Sequence, residues 1–188
     1  MPEATGYHQS EIELADEHTR VEAAKKNPAL FAPLYDKYYE PVFRFVFQRL
    51  DDREQAFDTT QQVFMKALNN LQKYESRGVP FSSWLFRMAL SELSNLFRLS
   101  KAQRTVNIDT VNVYPIFEEI EETKIDKYHD KIVDIIGNQL DEDELQLIEM
   151  RFFEKRSFKQ MGDILEITEN NAKVRTYRVI DKLKKKIL

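Results

Sequence analysis

Cysteine does not occur among the 188 residues, which excludes disulfides, thiolate zinc sites and cysteine nucleophiles together and suits a reducing compartment. Only four glycines are present, and alternating β-branched runs are scarce, so an all-α protein is expected. No apolar run approaches the roughly 20 residues that span a bilayer. The opening Met-Pro-Glu-Ala-Thr-Gly-Tyr-His lacks a basic-then-apolar leader. A cytoplasmic chain without stable membrane insertion is the expectation. Histidine is also sparse: His8, His18 and His129 are far apart, whereas a catalytic metal normally takes at least three protein ligands. We expect no metal, no cofactor and no catalytic centre.

The charge that is present is segregated. The net charge is only -4, yet Asp109 to Glu149 holds thirteen acids against Lys124, Lys127 and Lys131, while Lys173 to Lys186 holds seven Lys or Arg against Asp181 alone. A basic end on a mildly acidic chain points to nucleic acid as its partner.

That basic end has the pattern of a helix-turn-helix. Ser157 followed by Gln160 is a capping-box start, Thr168 is a second N-cap, and Glu169 places a negative charge in the next helix's first turn, where the dipole favours it. In the second helix Ala172, Thr176, Val179, Leu183 and Ile187 recur at steps of three or four and face inward. Asn170, Asn171, Lys173, Val174, Arg175, Tyr177 and Arg178 are then the candidates for duplex DNA. Cations neutralise phosphates, Arg or Lys donates to guanine acceptors, and Asn pairs with adenine in the major groove.

Upstream, residues 1 to about 19 are polar, and a helix is expected from near Thr19. Phe31, Leu34, Tyr38, Val42, Phe45, Val46 and Leu50 form a helical stripe that Pro41 is expected to bend or divide. Asp51-Asp52 opens a further helix, with Ala56, Phe57, Thr60, Val63, Phe64, Ala67, Leu68 and Leu71 inward and Asp58, Gln61, Gln62, Met65, Asn69 and Gln72 outward. Glu75-Ser-Arg-Gly-Val-Pro80 is a loop. The helix after it buries Phe81, Trp84, Leu85, Met88, Ala89, Leu93, Leu96 and Phe97, and presents Arg87, Ser91, Ser94, Asn95 and Arg98 on the other side. Periodicity lapses between Thr105 and about Ile125, which marks a linker containing Glu118-Glu-Ile-Glu-Glu122. Two more helices follow, one on Ile125, Ile132, Ile135, Ile136 and Leu140, the other on Leu145, Ile148, Phe152 and Phe153, opening in Asp141-Glu-Asp-Glu144.

Four segments taken in order, Phe31-Ala-Pro-Leu-Tyr-Asp-Lys-Tyr-Tyr-Glu40, Ala56-Phe-Asp-Thr-Thr-Gln-Gln-Val-Phe64, Phe81-Ser-Ser-Trp-Leu-Phe-Arg-Met-Ala89, and Ile148-Glu-Met-Arg-Phe-Phe-Glu154 running into the helix-turn-helix, resemble a bacterial RNA polymerase sigma factor of the sigma-70 family, in the short extracytoplasmic-function (ECF) class. The resemblance covers about residues 19 to 188. It implies two small helical modules joined by an acidic linker: an N-terminal extension over 1–27, a region 2 bundle over 28–104 that holds core RNA polymerase and melts promoter DNA, a linker over 105–125, and a region 4 helix-turn-helix over 126–188.

By the same resemblance Asp58, Gln61, Gln62 and Met65 face the polymerase. The 75–80 loop, with Ser76, Arg77 and Gly78, captures a base flipped from the melted minus-10 element, and Arg87, Ser91, Asn95 and Arg98 follow the separated strand. Asn170 to Arg178 read the duplex minus-35 element. Promoter DNA, both duplex and melted, and an anti-sigma protein are the other implied partners. Some positions depart from the family's usual pattern: Ser91 for asparagine, Ser94-Asn95 for a frequent aspartate, Glu166 for the turn glycine, and Met161-Gly162 for Ile-Ala. Glu166 must avoid a positive φ or accept its strain, and Gly162 is expected only to weaken its helix slightly. The acidic cluster imitates RNA in a basic channel, lies over Lys182 to Lys186 in the free protein, or is a solvated tether.

Two rivals remain at this level. A free-standing helix-turn-helix regulator would bind duplex DNA without polymerase, and would have no use for the arginine-bearing face after the 75–80 loop. An enzyme would need partners for His129-Asp130, which resembles the metal-binding dipeptide of helical phosphohydrolases, or a second acidic helix to complete the Glu118–Glu122 cluster.

Overall fold

The computed structural model describes residues 10–50, 52–100, 112–120 and 125–187. Every regular element among them is helical, and they form two compact units that divide between the fourth and fifth helices. The first unit holds α1 (Glu11–Lys26), a 3₁₀ turn (Pro28–Phe31), α2 (Ala32–Leu50), α3 (Arg53–Asn70), a second 3₁₀ turn (Leu71–Lys73) and α4 (Phe81–Ser100).

Helix α1 starts two turns before the expected Thr19. Ser10 caps it with a full capping box: its hydroxyl accepts from the Glu13 N–H at 3.3 Å, and Glu13 Oε2 accepts from the Ser10 N–H at 2.6 Å. The helix escapes a periodicity search because it buries only Glu17, Val21 and Ala24, too few apolar residues to make a stripe. It belongs to the same compact unit as α2 to α4.

Pro41 neither divides nor ends α2, which is one helix across it. A proline removes a single N–H, and Leu34 and Tyr38 before it, with Val42, Phe45 and Val46 after it, are buried on one continuous face. Helix α3 is capped by the Asp52 carboxylate, which accepts from the Gln55 N–H at 3.0 Å. Its inward face is Ala56, Thr59, Thr60, Val63, Phe64 and Ala67. Small residues suit a helix pressed between α2 and α4, and Thr60 satisfies its hydroxyl on the Ala56 carbonyl at 2.7 Å. Phe57 and Leu68 do not face inward as expected. They are 49% and 39% exposed, because the inward arc runs from Thr59 at one edge to Phe64 at the other, and Phe57 and Leu68 fall just past Phe64.

In α4 the buried residues include Phe81, Leu85, Ala89 and Leu93, together with Phe86, which packs on Phe45 at 5.0 Å between ring centroids. Trp84 is half-buried among Tyr74 and Phe81, at 4.9 and 5.3 Å. It is a packing residue, as its place on the stripe suggested.

The second unit contains α5 (Tyr114–Glu119), α6 (Ile125–Asn138), α7 (Glu142–Ile148), a π turn (Glu149–Phe153), α8 (Phe158–Leu165) and α9 (Glu169–Ile187). Part of the segment expected to be a plain linker is therefore folded. Helix α5 buries Ile116 and Phe117, and the residues that flank it, Val113 and Ile120, are buried too, a hydrophobic payload that its acidic neighbours conceal in sequence. Its Glu119 carboxylate is near enough to the Tyr177 phenol of α9 to hold that phenol's titration above the ordinary range. Residues 121–124, and with them Glu121 and Glu122, lie outside the described residues.

Helix α7 opens with Asp141 and Glu144 in a reciprocal capping box, and α8 with Ser157 and Gln160 in another. Thr168 Oγ1 caps α9 by accepting from the Asn171 N–H at 3.2 Å. The turn between α8 and α9 resolves the two sequence departures as one unit. Glu166 adopts the left-handed conformation, φ 56° and ψ 39°, so the glutamate takes the strain that a glycine would avoid. Gly162 is not a mild substitute for alanine here. A Cβ on it would lie 2.7 Å from the Ile167 carbonyl oxygen and 3.2 Å from the Glu169 nitrogen. The turn closes that tightly because the Ile167 N–H bonds the Gly162 carbonyl at 3.0 Å. Glycine at 162 lets the chain fold back, and α9 takes its angle from the closure.

Replacing Gly162 by Ala should destabilise the second unit by about 1 to 3 kcal/mol, since only backbone stands in the way of the methyl; thermal unfolding of the full chain, with the second unit's transition moved down by several degrees, is the check. The Tyr177 phenol titrates above the ordinary tyrosine range, first because the neighbouring Glu119 carboxylate favours the protonated, donating phenol and then because of burial. A raised folded-state value means that the α5–α9 contact contributes fully below the ordinary value near 10 and is lost as pH rises through the raised one. Glu119→Gln should bring the Tyr177 titration down toward the ordinary range, read from the ring-carbon NMR shift of labelled tyrosine.

Candidate nucleic-acid interface

Burial of one stripe of α9 decides what the other presents. Ala172, Thr176, Val179, Ile180, Leu183 and Ile187 are inside, and Thr176 closes its hydroxyl on the Ala172 carbonyl at 2.8 Å. Asn170, Asn171, Lys173, Val174, Tyr177 and Arg178 are all exposed. Val174 and Tyr177 are large apolar surfaces left in water. Arg175 differs from its neighbours: it is half-buried and paired with Asp143 of α7 at 3.2 Å.

The remaining cations of α9 separate by direction. Lys182 bonds Glu144 of α7, and Lys186 bonds Gln139 at 2.6 Å. These contacts tie the helix to its own module. Acidic α7 thus neutralises the inner flank of α9 and leaves Lys173 and Arg178 on the outer one. Glu119 of α5 acts on the Tyr177 phenol, while Lys182 and Lys186 are bonded to Glu144 and Gln139. Tyr177 also rests against Phe158 of α8 at 6.0 Å, and Arg151 stacks over that ring at 4.5 Å.

In the first unit, Glu75 to Pro80 is an open loop without helical structure. Ser76, Arg77 and Gly78 are exposed, and Gly78 takes φ 73°, a conformation that favours glycine. The loop's leading residue, Tyr74, is buried against Phe81 and Trp84. Its phenol titrates above the ordinary range, chiefly from burial and then from the nearby Glu17 charge, with Ser76 hydrogen-bonding it in opposition. Arg87, Ser91, Asn95 and Arg98 continue along one side of α4 from the loop, at steps of four, four and three. Ser91 and Arg98 are exposed, Arg87 and Asn95 half-buried, and Arg98 donates to Asn95 Oδ1 at 3.1 Å. The array offers cations and amide groups along a line, as a single strand of phosphates and bases requires.

A third face lies on α3. Asp58, Gln62 and Met65 are exposed, and Gln61 is half-buried with its amide bonded to the Tyr35 hydroxyl at 3.1 Å. Sequence reading did not place Phe57 and Leu68 on this side. With Met65, 63% exposed, they make an apolar strip at steps of eight and three, with Gln61 between. That spacing was the available signal. Three large apolar side chains in line thus stand in water on a small module.

Among the described residues no group of three or more His, Asp or Glu could hold a metal ion; His129 bonds only its neighbour Asp130, at 3.2 Å. No helix among them is long and apolar enough to cross a membrane.

Comparison with known proteins gives these surfaces a family. Residues 34–104 match Sigma-70 region 2, and residues 138–185 match Sigma-70, region 4. The chain is 25% identical over 162 residues to the ECF RNA polymerase sigma factor SigX of Bacillus subtilis, covering 82% of this chain and 82% of SigX. It is 22% identical over 162 residues to the ECF RNA polymerase sigma factor BldN of Streptomyces coelicolor, covering 85% of this chain but only 61% of BldN. Its fold is similar to that of CnrH in the solved complex with the cytosolic domain of CnrY, with a TM-score of 0.56 and 17% identity over 89% of this chain and 94% of that one. With a region 2 module and a region 4 module in that order on one chain, the protein belongs to the sigma-70 family of RNA polymerase sigma factors.

Proposed function

We propose that the three outward faces divide the work of a sigma factor among them: α3 holds core RNA polymerase, the 75–80 loop with α4 opens and reads the minus-10 element, and α9 reads the minus-35 element in duplex form. The observation that carries this is the exposure of the Phe57, Met65 and Leu68 strip on a module matching region 2, in the same chain as an outward basic helix matching region 4. A free-standing regulator needs the second surface and has no use for the first.

On α3, Asp58, Gln61, Gln62 and Met65, joined by Phe57 and Leu68, dock on the polymerase. The apolar strip supplies affinity and the polar groups around it set register. Flipping a base from the minus-10 element costs a few kcal/mol. Ser76, Arg77 and the backbone at Gly78 receive it, while Arg87, Ser91, Asn95 and Arg98 hold the strand that follows. On α9, Lys173 and Arg178 supply the cations, Asn170 and Asn171 the amides, and Val174 and Tyr177 the apolar contact for thymine methyls. Arg175 serves the module by its Asp143 pair and meets DNA only when that pair opens.

The chain is not itself a catalyst; the chemistry of RNA synthesis belongs to the polymerase it directs, and it works in the cytoplasm, where that polymerase is. CnrH has been solved with the cytosolic domain of CnrY. That complex supports a protein partner of the anti-sigma kind here, covering the same exposed faces.

Adding the chain to bacterial core RNA polymerase and sequencing transcript 5′ ends from the source genome's DNA should reveal starts that share two upstream elements and vanish without the chain. Tight duplex binding by the chain alone, with no new starts, would indicate the free-standing regulator instead. Met65→Asp should weaken core binding at least tenfold, by fluorescence titration, with an unchanged thermal midpoint, because the side chain is in water in the free protein. Arg178→Ala should cost about 1 to 3 kcal/mol at one minus-35 position if it pairs bidentately with guanine; a loss spread evenly over sequences would make it a phosphate contact.

A further inference from the structure

Glu17 is a carboxylate with 3% of its surface exposed, in a helix that precedes both matched regions. A charge taken out of water must be met by donors. Lys37 Nζ donates to Oε1 at 2.8 Å and the Tyr38 hydroxyl donates to the same oxygen. The other oxygen, Oε2, accepts at 2.8 Å from the backbone N–H of Phe81.

Phe81 is the first residue of α4. Its N–H is one of those that a helix leaves without a partner inside itself, and an anion there is favoured by the helix dipole. Ordinarily the residue just before a helix supplies the acceptor. Here Pro80 occupies that place and has no side-chain acceptor. The cap comes across space, from a residue 64 positions away.

The same helix grips the other end of the loop. Lys25 Nζ donates to the Tyr74 carbonyl at 2.7 Å, and the side-chain amide of Gln72 donates to the Lys25 carbonyl. Between these anchors the rings of Tyr74 and Phe81 meet edge to face at 5.1 Å. Both stems of the 75–80 loop are thereby fixed to α1, while Ser76, Arg77 and Gly78 between them stand exposed.

We infer that α1 braces the minus-10 reading loop, with Glu17 as a positioning residue that holds its trailing stem through the Phe81 N–H and Lys25 as the one that holds its leading stem. A loop held at both ends loses less conformational freedom when it closes on a flipped base, so the brace favours capture of that base over general strand contact. Neither residue touches the DNA. The inference rests on the base-capture role of the loop given above.

The test is a coupling between protein and DNA changes. Holoenzyme is titrated with a fork-junction template from a promoter found by the 5′-end sequencing, and each non-template minus-10 base is removed in turn to leave an abasic site. Wild-type holoenzyme should bind one abasic template about tenfold more weakly than the intact one. Glu17→Ala holoenzyme should distinguish the two by no more than about twofold, with core affinity unchanged. Glu17→Gln keeps the size of the side chain but has one oxygen, which Lys37 and Tyr38 claim, leaving an NH2 toward the Phe81 N–H; it should lose discrimination as Glu17→Ala does, which a loss of general packing would not predict. Lys25→Ala, which removes a cation and leaves the Glu17 carboxylate and its donors in place, should reduce discrimination several-fold, and carries the test if Glu17→Ala does not fold. Full wild-type discrimination in both the Glu17→Ala and Lys25→Ala proteins would overturn the brace. Equal binding of every abasic template by the wild type would instead remove the base-capture role, and the brace with it.

Discussion

A helix in a module this small has one face to bury, and its other face is committed to whatever the protein meets. That constraint organises both units. In the first, α3 lies against α2 and α4, and its inward arc is filled by Ala56, Thr59, Thr60, Val63, Phe64 and Ala67. No room remains inside for Phe57, Met65 and Leu68. At roughly 1.5 to 3 kcal/mol for burying a side chain of this size, leaving three outside would be wasteful in a protein that acts alone. It is useful in one that assembles on a larger machine, where the same surface is buried on binding.

In the second unit the same constraint acts through charge. Helix α9 carries cations around much of its circumference, and the fold distinguishes them by partner. Asp143 and Glu144 of α7 take up Arg175 and Lys182, binding the helix to its scaffold. Lys173 and Arg178 remain outward. The acidic start of α7 serves twice, complementing its own helix dipole and orienting a basic helix, so that acidic middle and basic end are two halves of one packing arrangement. The turn that aims α9 depends on a pair of residues read separately in the sequence: Gly162 admits the close backbone approach, and Glu166 accepts the left-handed conformation that closes it.

The helical class, the capping box at Ser157, the acidic start of α7 at Asp141 and the inward stripe of α9 were legible, because each depends on residues within one or two turns of each other; the family resemblance was legible because each of its four segments is a local pattern. The start of α1 was missed although its capping box is plain at Ser10 and Glu13; a helix that buries only Glu17, Val21 and Ala24 has no stripe to find. Helix α5 was hidden by its acids, which advertise a solvated tether while Val113, Ile116, Phe117 and Ile120 supply an apolar core. Phe57 and Leu68 were assigned inward on a wheel that cannot tell which of two adjoining arcs meets the neighbours.

By itself, then, the sequence determined local matters: which stretches are helical, where most of them start, and that a basic helix follows a turn, since propensity, capping and periodicity act over a few residues. Tertiary structure decided which polar groups are partners and which are available. That Glu17 caps a helix 64 residues away, that Arg175 is taken by Asp143 while Arg178 remains outward, and that Gly162 cannot carry a methyl all depend on the meeting of segments distant in the chain. A carboxylate's neighbours, unlike a helix's period, are set by packing in three dimensions.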